Sequence, residues 1–190
     1  MPRLFSGLEL PENARDAIRR LHTPLAGARW IEPENLHLTL RFVGDIEKRA
    51  AHEFADGLAA IDLDVFELRL SGLGVYGGND PQVLWAGVEV SGPLMALARA
   101  NERAARAAGL APEGRAYKPH VTIARLRHTQ PGEVARLLER LGAFRTHPFM
   151  VERFVLFSSR PHIGGGPYVI EDSFPLRGAP PEGIGDLEWA

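Results

Sequence analysis

The chain has 190 residues, of which 45% are hydrophobic and 24% charged, and this composition is typical of an ordinary globular protein. Its formal net charge is −2, so the chain as a whole lacks the basic excess of a protein that coats long nucleic acid. The absence of cysteine excludes disulfide frameworks, cysteine-ligated metals and thiol nucleophiles. No apolar run reaches about 18 residues and no signal-peptide pattern is present, so we expect a soluble, cytoplasmic protein without a membrane span.

The first half of the chain predicts a strand, a helix, a strand, a helix and two further strands. Strand patterns run over 3–10 and 36–43, and Pro11 opens the first helix between them. An amphipathic helix follows over 50–61, where apolar residues recur at three- and four-residue steps. Two more strand patterns, over 66–70 and 83–90, are separated by a glycine-rich link from Gly72 to Gly78.

The second half repeats this order. Pro93 opens a helix that is expected to end at Gly109, and strand patterns over 118–126, 149–157 and 168–174 flank another amphipathic helix. The two periodicities favour an α+β fold, with two mostly antiparallel sheets, helices outside them and a central cleft. We expect a single bilobal domain over 1–177, made of duplicated halves at about 11–90 and 92–174, and a flexible acidic tail over 178–190.

Matching points of the two halves carry a histidine followed two positions later by a threonine. These are His37 with Thr39 in the first half and His120 with Thr122 in the second. Residues i and i+2 of a strand share a face, so each sheet offers one imidazole and one hydroxyl to the cleft. Two imidazoles can serve as general base and general acid, and threonine hydroxyls can donate to phosphate oxygens. The set suits opening of a phosphodiester by water, with no metal and no cofactor.

Two arginines are candidates for binding the phosphate. Arg41 shares strand parity with His37, whereas Arg125 has the opposite parity to His120 and reaches the cleft only if the strand ends, twists or bulges near Ala124. A surface ion pair is the alternative for both arginines.

Five segments carry a resemblance to a known family: Arg3-Leu4-Phe5, Arg29-Trp30, and residues 33–40 (PENLHLTL), 83–88 (VLWAGV) and 119–125 (PHVTIAR). In this order they resemble the 2H phosphoesterases, and in particular the bacterial and archaeal RNA 2′,3′-cyclic phosphodiesterases, historically called 2′-5′ RNA ligases. The resemblance implies a bilobal pseudo-twofold fold and metal-independent hydrolysis of RNA 2′,3′-cyclic phosphate ends to 2′-phosphates.

The same resemblance implies a role for each site residue. His37 would be the proton donor to the departing 3′ oxygen and His120 the proton acceptor that activates water, whereas Thr39, Thr122 and Arg125 would contact the phosphate. The residues alone do not distinguish the two histidines, because the halves are nearly equivalent.

The expected partner is an RNA end or oligonucleotide that carries a 2′,3′-cyclic phosphate, and the protein is expected to be a monomer. Tyr168 and Phe5 are candidates for stacking on a base, with packing as the alternative. Three other functions stay open: a non-catalytic RNA- or nucleotide-binding module, the same chemistry on 2′-5′ oligonucleotides or cyclic-phosphate sugars, and 2′-5′ RNA ligation.

Overall fold

The computed structural model describes residues 3–159 and 168–180. Within them, the helices are Glu12–Arg19 (α1), Lys48–Ala59 (α2), Gly92–Ala107 (α3) and Pro131–Leu141 (α4), with a short 3-10 helix at Pro33–Asn35. The strands are Arg3–Glu9 (β1), Ala28–Trp30 (β2), His37–Asp45 (β3), Phe66–Leu68 (β4), Leu70–Tyr76 (β5), Val83–Val88 (β6), His120–Leu126 (β7), Phe149–Val151 (β8), Arg153–Ser159 (β9) and Tyr168–Pro175 (β10). The predicted α+β class is confirmed.

The main sheet is antiparallel and has the strand order β10-β9-β1-β3-β7-β6-β5, with β2 pairing to β7 beside this path. Its two central strands, β3 and β7, are joined at one residue pair, Leu38 with Val121. Strands β4 and β8 form a separate two-stranded sheet. The predicted sheets of the two lobes are therefore present as two groups of antiparallel strands, but they are joined at the centre and not separate.

The structure repeats itself along the chain with a constant offset, the one that takes His37 to His120. The same offset takes the bounds of β4 to those of β8, the bounds of β5 to those of β9, and Leu38 to Val121. The contacts of β3 with β7 and of β4 with β8 thus join equivalent strands, as expected where a twofold axis passes between them. Pairing also crosses the boundary between 11–90 and 92–174, because β9 adds to β1 and β6 adds to β7. Each lobe therefore contains strands from both ends of the chain.

The main core lies between the helices and one face of the sheet. Leu38 of β3 and Val121 of β7 are fully buried there, as is Phe54 of α2. The longest helix, α3, begins at Ser91, whose side chain accepts a hydrogen bond from the backbone amide of residue 94 at 3.3 Å. It is followed by Gly109, whose φ of +79° favours glycine and ends the helix where the sequence predicts. The opposite face of β3 and β7 is left for the polar residues of the two motifs.

The glycine-rich link of the sequence prediction is wrong, because β5 occupies positions 70–76. Glycine lowers strand propensity, and this hides the strand from a pattern analysis. Gly74 has a packing role: a Cβ at this position would lie 2.2 Å from the ring of Trp85 on β6. The bare backbone therefore gives the indole room to lie across the neighbouring strand. The strand patterns at 66–70 and 149–157 are likewise each divided, into β4 with β5 and β8 with β9.

The last described residues follow β10. Arg177 donates to the carboxylates of Asp62 and Asp64 at 3.0 and 2.6 Å, which holds this part of the chain against the segment before β4. The predicted acidic tail over 178–190 lies outside the described residues from position 181 onward. None of the described helices combines the length and the apolar character needed to cross a membrane.

Candidate active site

The two His-x-Thr motifs lie side by side at the centre of the main sheet. The antiparallel residue pair that joins β3 to β7 falls between the histidine and the threonine of each motif. Extending this register by one residue in each direction places His37 opposite Thr122 and Thr39 opposite His120. The two histidines are then diagonal neighbours, with roughly 7–8 Å between their Cβ atoms. All four side chains are half-buried, whereas the residues between them point into the core.

Both imidazoles are held in the same way. Nδ1 of His37 lies 2.8 Å from the carbonyl oxygen of Asn35, and Nδ1 of His120 lies 2.8 Å from that of Lys118. A carbonyl oxygen only accepts hydrogen bonds, so Nδ1 carries the hydrogen and donates in each pair. Each neutral ring therefore has its acceptor lone pair on Nε2. In each half, the backbone two residues before the histidine fixes the tautomer that a general base requires.

His37 is surrounded by aromatic rings. The ring centroids of Phe5 and Tyr168 lie 4.8 Å from the imidazole, and that of Phe157 lies at 5.5 Å. The rings meet above Gly7, where an added Cβ would lie 3.3 Å from the Phe157 ring and 2.7 Å from a backbone oxygen. Phe5 is only 3% exposed, so it supports the imidazole and does not offer a face to a base, in contrast to one of the two interpretations from sequence. Tyr168 is half-buried, edge-on to the same ring.

His120 has a more open environment. The ring of Tyr76 meets it edge-on at 5.2 Å, and the indole of Trp85 lies 6.2 Å away. Tyr76 is 37% exposed, so the wall of the site on this side faces solvent. The pseudo-symmetric backbone therefore places the two histidines in different surroundings, with His37 in an aromatic enclosure and His120 at an open edge.

The pKa of His37 is lowered from 6.5 to about 4. The largest cause is burial, which removes water from the charged ring. The hydrogen bond to the carbonyl of Asn35 acts in the opposite direction, and repulsion by Arg125 and His120 lowers the pKa further. In the protein without ligand, His37 is therefore neutral at pH 7. The repulsion also means that Arg125 and His120 lie near the His37 ring.

Arg125 lies on the histidine face because β7 contains a bulge. The register of β7 with β6 passes over Ile123, which is the extra residue of the bulge. An extra residue reverses the alternation of a strand beyond it. Ala124 is accordingly fully buried, and Arg125 is exposed on the face that carries Thr122. The guanidinium lies at the end of the site where His37 is found, as its effect on the pKa of His37 requires.

The prediction that Arg41 faces the site is wrong, because β3 contains the equivalent bulge at Leu40. Arg41 is turned to the buried side, where its Nε donates to Glu102 at 2.6 Å. Its other nitrogens donate to the carbonyl oxygens of Phe42 and Ala111, each at 2.5 Å. Arg41 thus fastens β3 to α3 and to the loop that precedes β7, and its donors are directed away from the histidines.

Two residues that the sequence analysis misses support the site. The side-chain oxygen of Asn35 accepts a hydrogen bond at 3.1 Å from the backbone amide of Tyr168, which ties β10 to the segment that orients His37. The hydroxyl of Tyr117 donates to the carbonyl of Thr39 at 3.0 Å, and burial raises its pKa, so it stays a donor at neutral pH. Only their positions just before each His-x-Thr motif would have indicated them.

A third missed residue, Arg29, lies opposite Arg125 in the pairing of β2 with β7. Both side chains are exposed. Like charges directly opposite each other on a sheet repel, and this concentrates positive potential at the His37 end of the site. Strand β2 has only three residues and carries no strand pattern, so no periodic signal marks this pair. The described residues contain no group of three His, Asp or Glu side chains placed to hold a metal ion.

The fold and the site together define the class of the protein. An α+β fold with a pseudo-twofold axis, carrying one His-x-Thr motif on each of its two central strands, is the architecture implied by the resemblance to the 2H phosphoesterases. A family model described as the 2′-5′ RNA ligase superfamily matches residues 10–162. This match covers most of the sequence, and the chain belongs to the 2′-5′ RNA ligase superfamily.

Similar proteins agree with this membership. The RNA 2′,3′-cyclic phosphodiesterase of Aeropyrum pernix is 34% identical over 131 residues, which are 67% of this chain and 73% of that protein. The Aquifex aeolicus protein of the same name is 32% identical over 179 residues, 92% of this chain and 95% of its own.

Solved structures agree as well. A crystal structure from Thermus thermophilus has a TM-score of 0.77 at 26% identity and covers 93% of this chain and 98% of its own. Escherichia coli LigT, crystallised with 3′-AMP, has a TM-score of 0.75 at 25% identity, covering 93% and 99%. The predicted 2H phosphoesterase fold is thereby confirmed.

Proposed function

We propose that this protein hydrolyses 2′,3′-cyclic phosphate ends of RNA to 2′-phosphomonoesters by general acid–base catalysis with two histidines and no metal. The observation that carries the proposal is the site on the pseudo-twofold axis, where two imidazoles and two threonine hydroxyls share one face. The Aeropyrum and Aquifex relatives, 34% and 32% identical to this chain, are named RNA 2′,3′-cyclic phosphodiesterases, and they support this choice of substrate.

The proposed reaction is one displacement at phosphorus. A water oxygen bonds to the phosphorus as the bond from phosphorus to the 3′ oxygen breaks. Nε2 of His120 accepts the proton of the water, and Nε2 of His37 donates a proton to the departing 3′ oxygen. The hydrogen bonds at Nδ1 support both roles, because they leave each Nε2 directed away from the backbone. The assignment of donor and acceptor follows the family resemblance.

The low pKa of His37 places a condition on its role as donor. Without a ligand, only about one molecule in a thousand has this ring protonated at pH 7. A bound phosphodiester brings a negative charge beside the ring and offsets the repulsion by Arg125 and His120. We therefore expect substrate to raise the pKa of His37, so that the acid is charged when the phosphate is in place.

The remaining site residues would hold the phosphate. The hydroxyls of Thr39 and Thr122 would donate to its two non-bridging oxygens, since each lies across the strand pair from a histidine. Arg125 would neutralise the charge that grows on these oxygens, from the His37 end of the site. Escherichia coli LigT, a protein of the same fold, was crystallised with the nucleotide 3′-AMP, which agrees with a nucleotide-sized ligand here.

The test is incubation of the purified protein with a short RNA that ends in a 2′,3′-cyclic phosphate, in the presence of EDTA. We expect a 2′-phosphate product and a bell-shaped dependence of the rate on pH. His37→Ala and His120→Ala should each lower kcat by about 10²–10⁴. The control is His52→Ala on the exposed surface of α2, which should leave the rate unchanged.

Other outcomes would redirect or end the proposal. A 3′-phosphate product would mean that the wrong oxygen leaves, and loss of activity in EDTA would contradict the metal-independent mechanism. Tight binding of the RNA without turnover would instead indicate a nucleotide-binding module. Full activity in the variant that lacks both histidines would refute the mechanism, provided that circular dichroism shows the variant to be folded.

A further inference from the structure

The two ends of the site differ at one pair of equivalent positions. The offset that relates His37 to His120 and Thr39 to Thr122 also relates Phe42 to Arg125. Both strands carry their bulge at the corresponding residue, so the reversal of alternation that exposes Arg125 also exposes Phe42. One end of the site therefore has a guanidinium where the other has a phenyl ring.

Phe42 lies on the same face as the histidines. It is directly opposite Phe5 in the pairing of β1 with β3, and opposite residues of an antiparallel pair point to the same side. Phe5 in turn contacts the His37 ring. Phe42 is nevertheless 51% exposed, against 3% for Phe5. A large flat apolar surface is thus left open on the working face of the sheet.

The position of Phe42 is at the His120 end. Strand β3 runs from His37 past Thr39, which is opposite His120, and then to Phe42. The loop before β7 lies along this end, because Tyr117 donates to the carbonyl of Thr39. Phe42 is therefore beyond His120, whereas Arg125 is beyond the other histidine.

A nucleobase is the ligand that fits an exposed phenyl ring one step from a phosphate site. Base–aromatic stacking accepts every base, because each base has a flat π face. The guanidinium end is suited to phosphate oxygens, and the phenyl end is not. The difference between the two ends thus gives a symmetric backbone one direction in which an RNA end can lie.

We propose that Phe42 is a nucleobase-stacking residue that fixes the orientation and raises the affinity of the RNA end. This inference rests on the proposed function of the same site. The base that stacks is either that of the cyclic-phosphate nucleotide itself or that of its neighbour in the chain, and the two share one chemistry.

The experiment compares three substrates: ribose 2′,3′-cyclic phosphate, adenosine 2′,3′-cyclic phosphate, and an adenylate dinucleotide that ends in a 2′,3′-cyclic phosphate. Phe42→Leu keeps the apolar bulk without the π face, and Phe42→Tyr keeps both. Met150→Ala is the matched control, because Met150 is a similarly exposed apolar residue on β8, outside the main sheet. We expect Phe42→Leu to raise KM about tenfold for a substrate with a base, which is the loss of one stack. Phe42→Tyr and Met150→Ala should match the wild type.

The pattern across substrates decides the outcome. A rise in KM already seen with the mononucleotide assigns the stacked base to the cyclic-phosphate nucleotide, and a rise confined to the dinucleotide assigns it to the neighbour. An unchanged KM in Phe42→Leu overturns the inference, as does an equal rise for the baseless sugar. Calorimetric binding of 2′-AMP and ribose 2-phosphate repeats the comparison without turnover. A wild type that hydrolyses none of the three substrates therefore refutes the proposed function and leaves the stacking test standing.

Discussion

Acidification of the ligand-free protein provides a direct test of the enclosure around His37. The pKa of this imidazole is about 4 in the folded protein, chiefly because burial desolvates the charged ring, against 6.5 without that environment. The unfolded chain therefore binds the proton more tightly. The stabilisation is complete above pH 6.5, and it is lost progressively as the pH falls from 6.5 to 4. A difference of about 2.5 between the two pKa values corresponds to about 3 kcal/mol of unfolding free energy.

The measurement is the free energy of unfolding in urea at pH 7 and pH 4, for the wild type and for His37→Gln. The wild type should lose about 3 kcal/mol more than the variant between these two pH values, because glutamine cannot take up the proton. The exposed substitution His52→Gln controls for the removal of a histidine as such and should follow the wild type. An NMR titration of the imidazole should give a midpoint near 4.

Two results would refute this reasoning. If the wild type and His37→Gln lose equal stability between pH 7 and pH 4, burial does not suppress protonation of this ring. If the ring titrates near 6.5 in the free protein, the aromatic enclosure is open to water. Addition of 2′-AMP should then be tested in the same titration: a midpoint that stays near 4 with the phosphate bound would transfer the role of acid to His120.

Three further predictions concern the residues that the bulges and the glycines position. Arg41→Met breaks a buried ion pair and should destabilise the fold by about 3 kcal/mol in urea unfolding, with KM for a cyclic phosphate unchanged in the variant that remains folded. Arg125→Gln should show the opposite division, with near-normal stability, a KM raised about tenfold and a higher pKa of His37 by NMR. Gly74→Ala should cost about 1–3 kcal/mol of thermal stability by overpacking against Trp85, and Trp85→Leu in the same chain should recover part of it.

The local features of this fold could be predicted from its sequence, because their causes are local. The helix ended by Gly109 follows from the ability of glycine to adopt a positive φ, and both His-x-Thr strands follow from alternation over a few residues. Strand β5 is the exception that shows the limit. Its glycines are typical of a link, and the reason for Gly74 is a ring on a different strand.

The order of the strands could not be predicted in the same way. Two like halves can each close their own sheet, or they can exchange strands, and the hydrophobic pattern of every strand is the same in both arrangements. Here β9 completes the lobe that contains β1, and β5 and β6 complete the lobe that contains β7. The choice depends on pairing between residues far apart in the chain. The repeat that relates His37 to His120 was visible in the sequence, but the partner of each strand was not.

The two arginines show how one extra residue decides which side chain faces the site. Strict alternation places Arg41 with the histidines and Arg125 away from them, and the structure has the reverse. Both outcomes have the same cause, a bulge one residue after each threonine. Because the bulge is at the same position in both halves, the backbone remains nearly symmetric while the residue that follows it sets the chemistry of each end. A duplicated fold can in this way build an asymmetric site without changing its framework, by placing a guanidinium on one strand and a phenyl ring on the other.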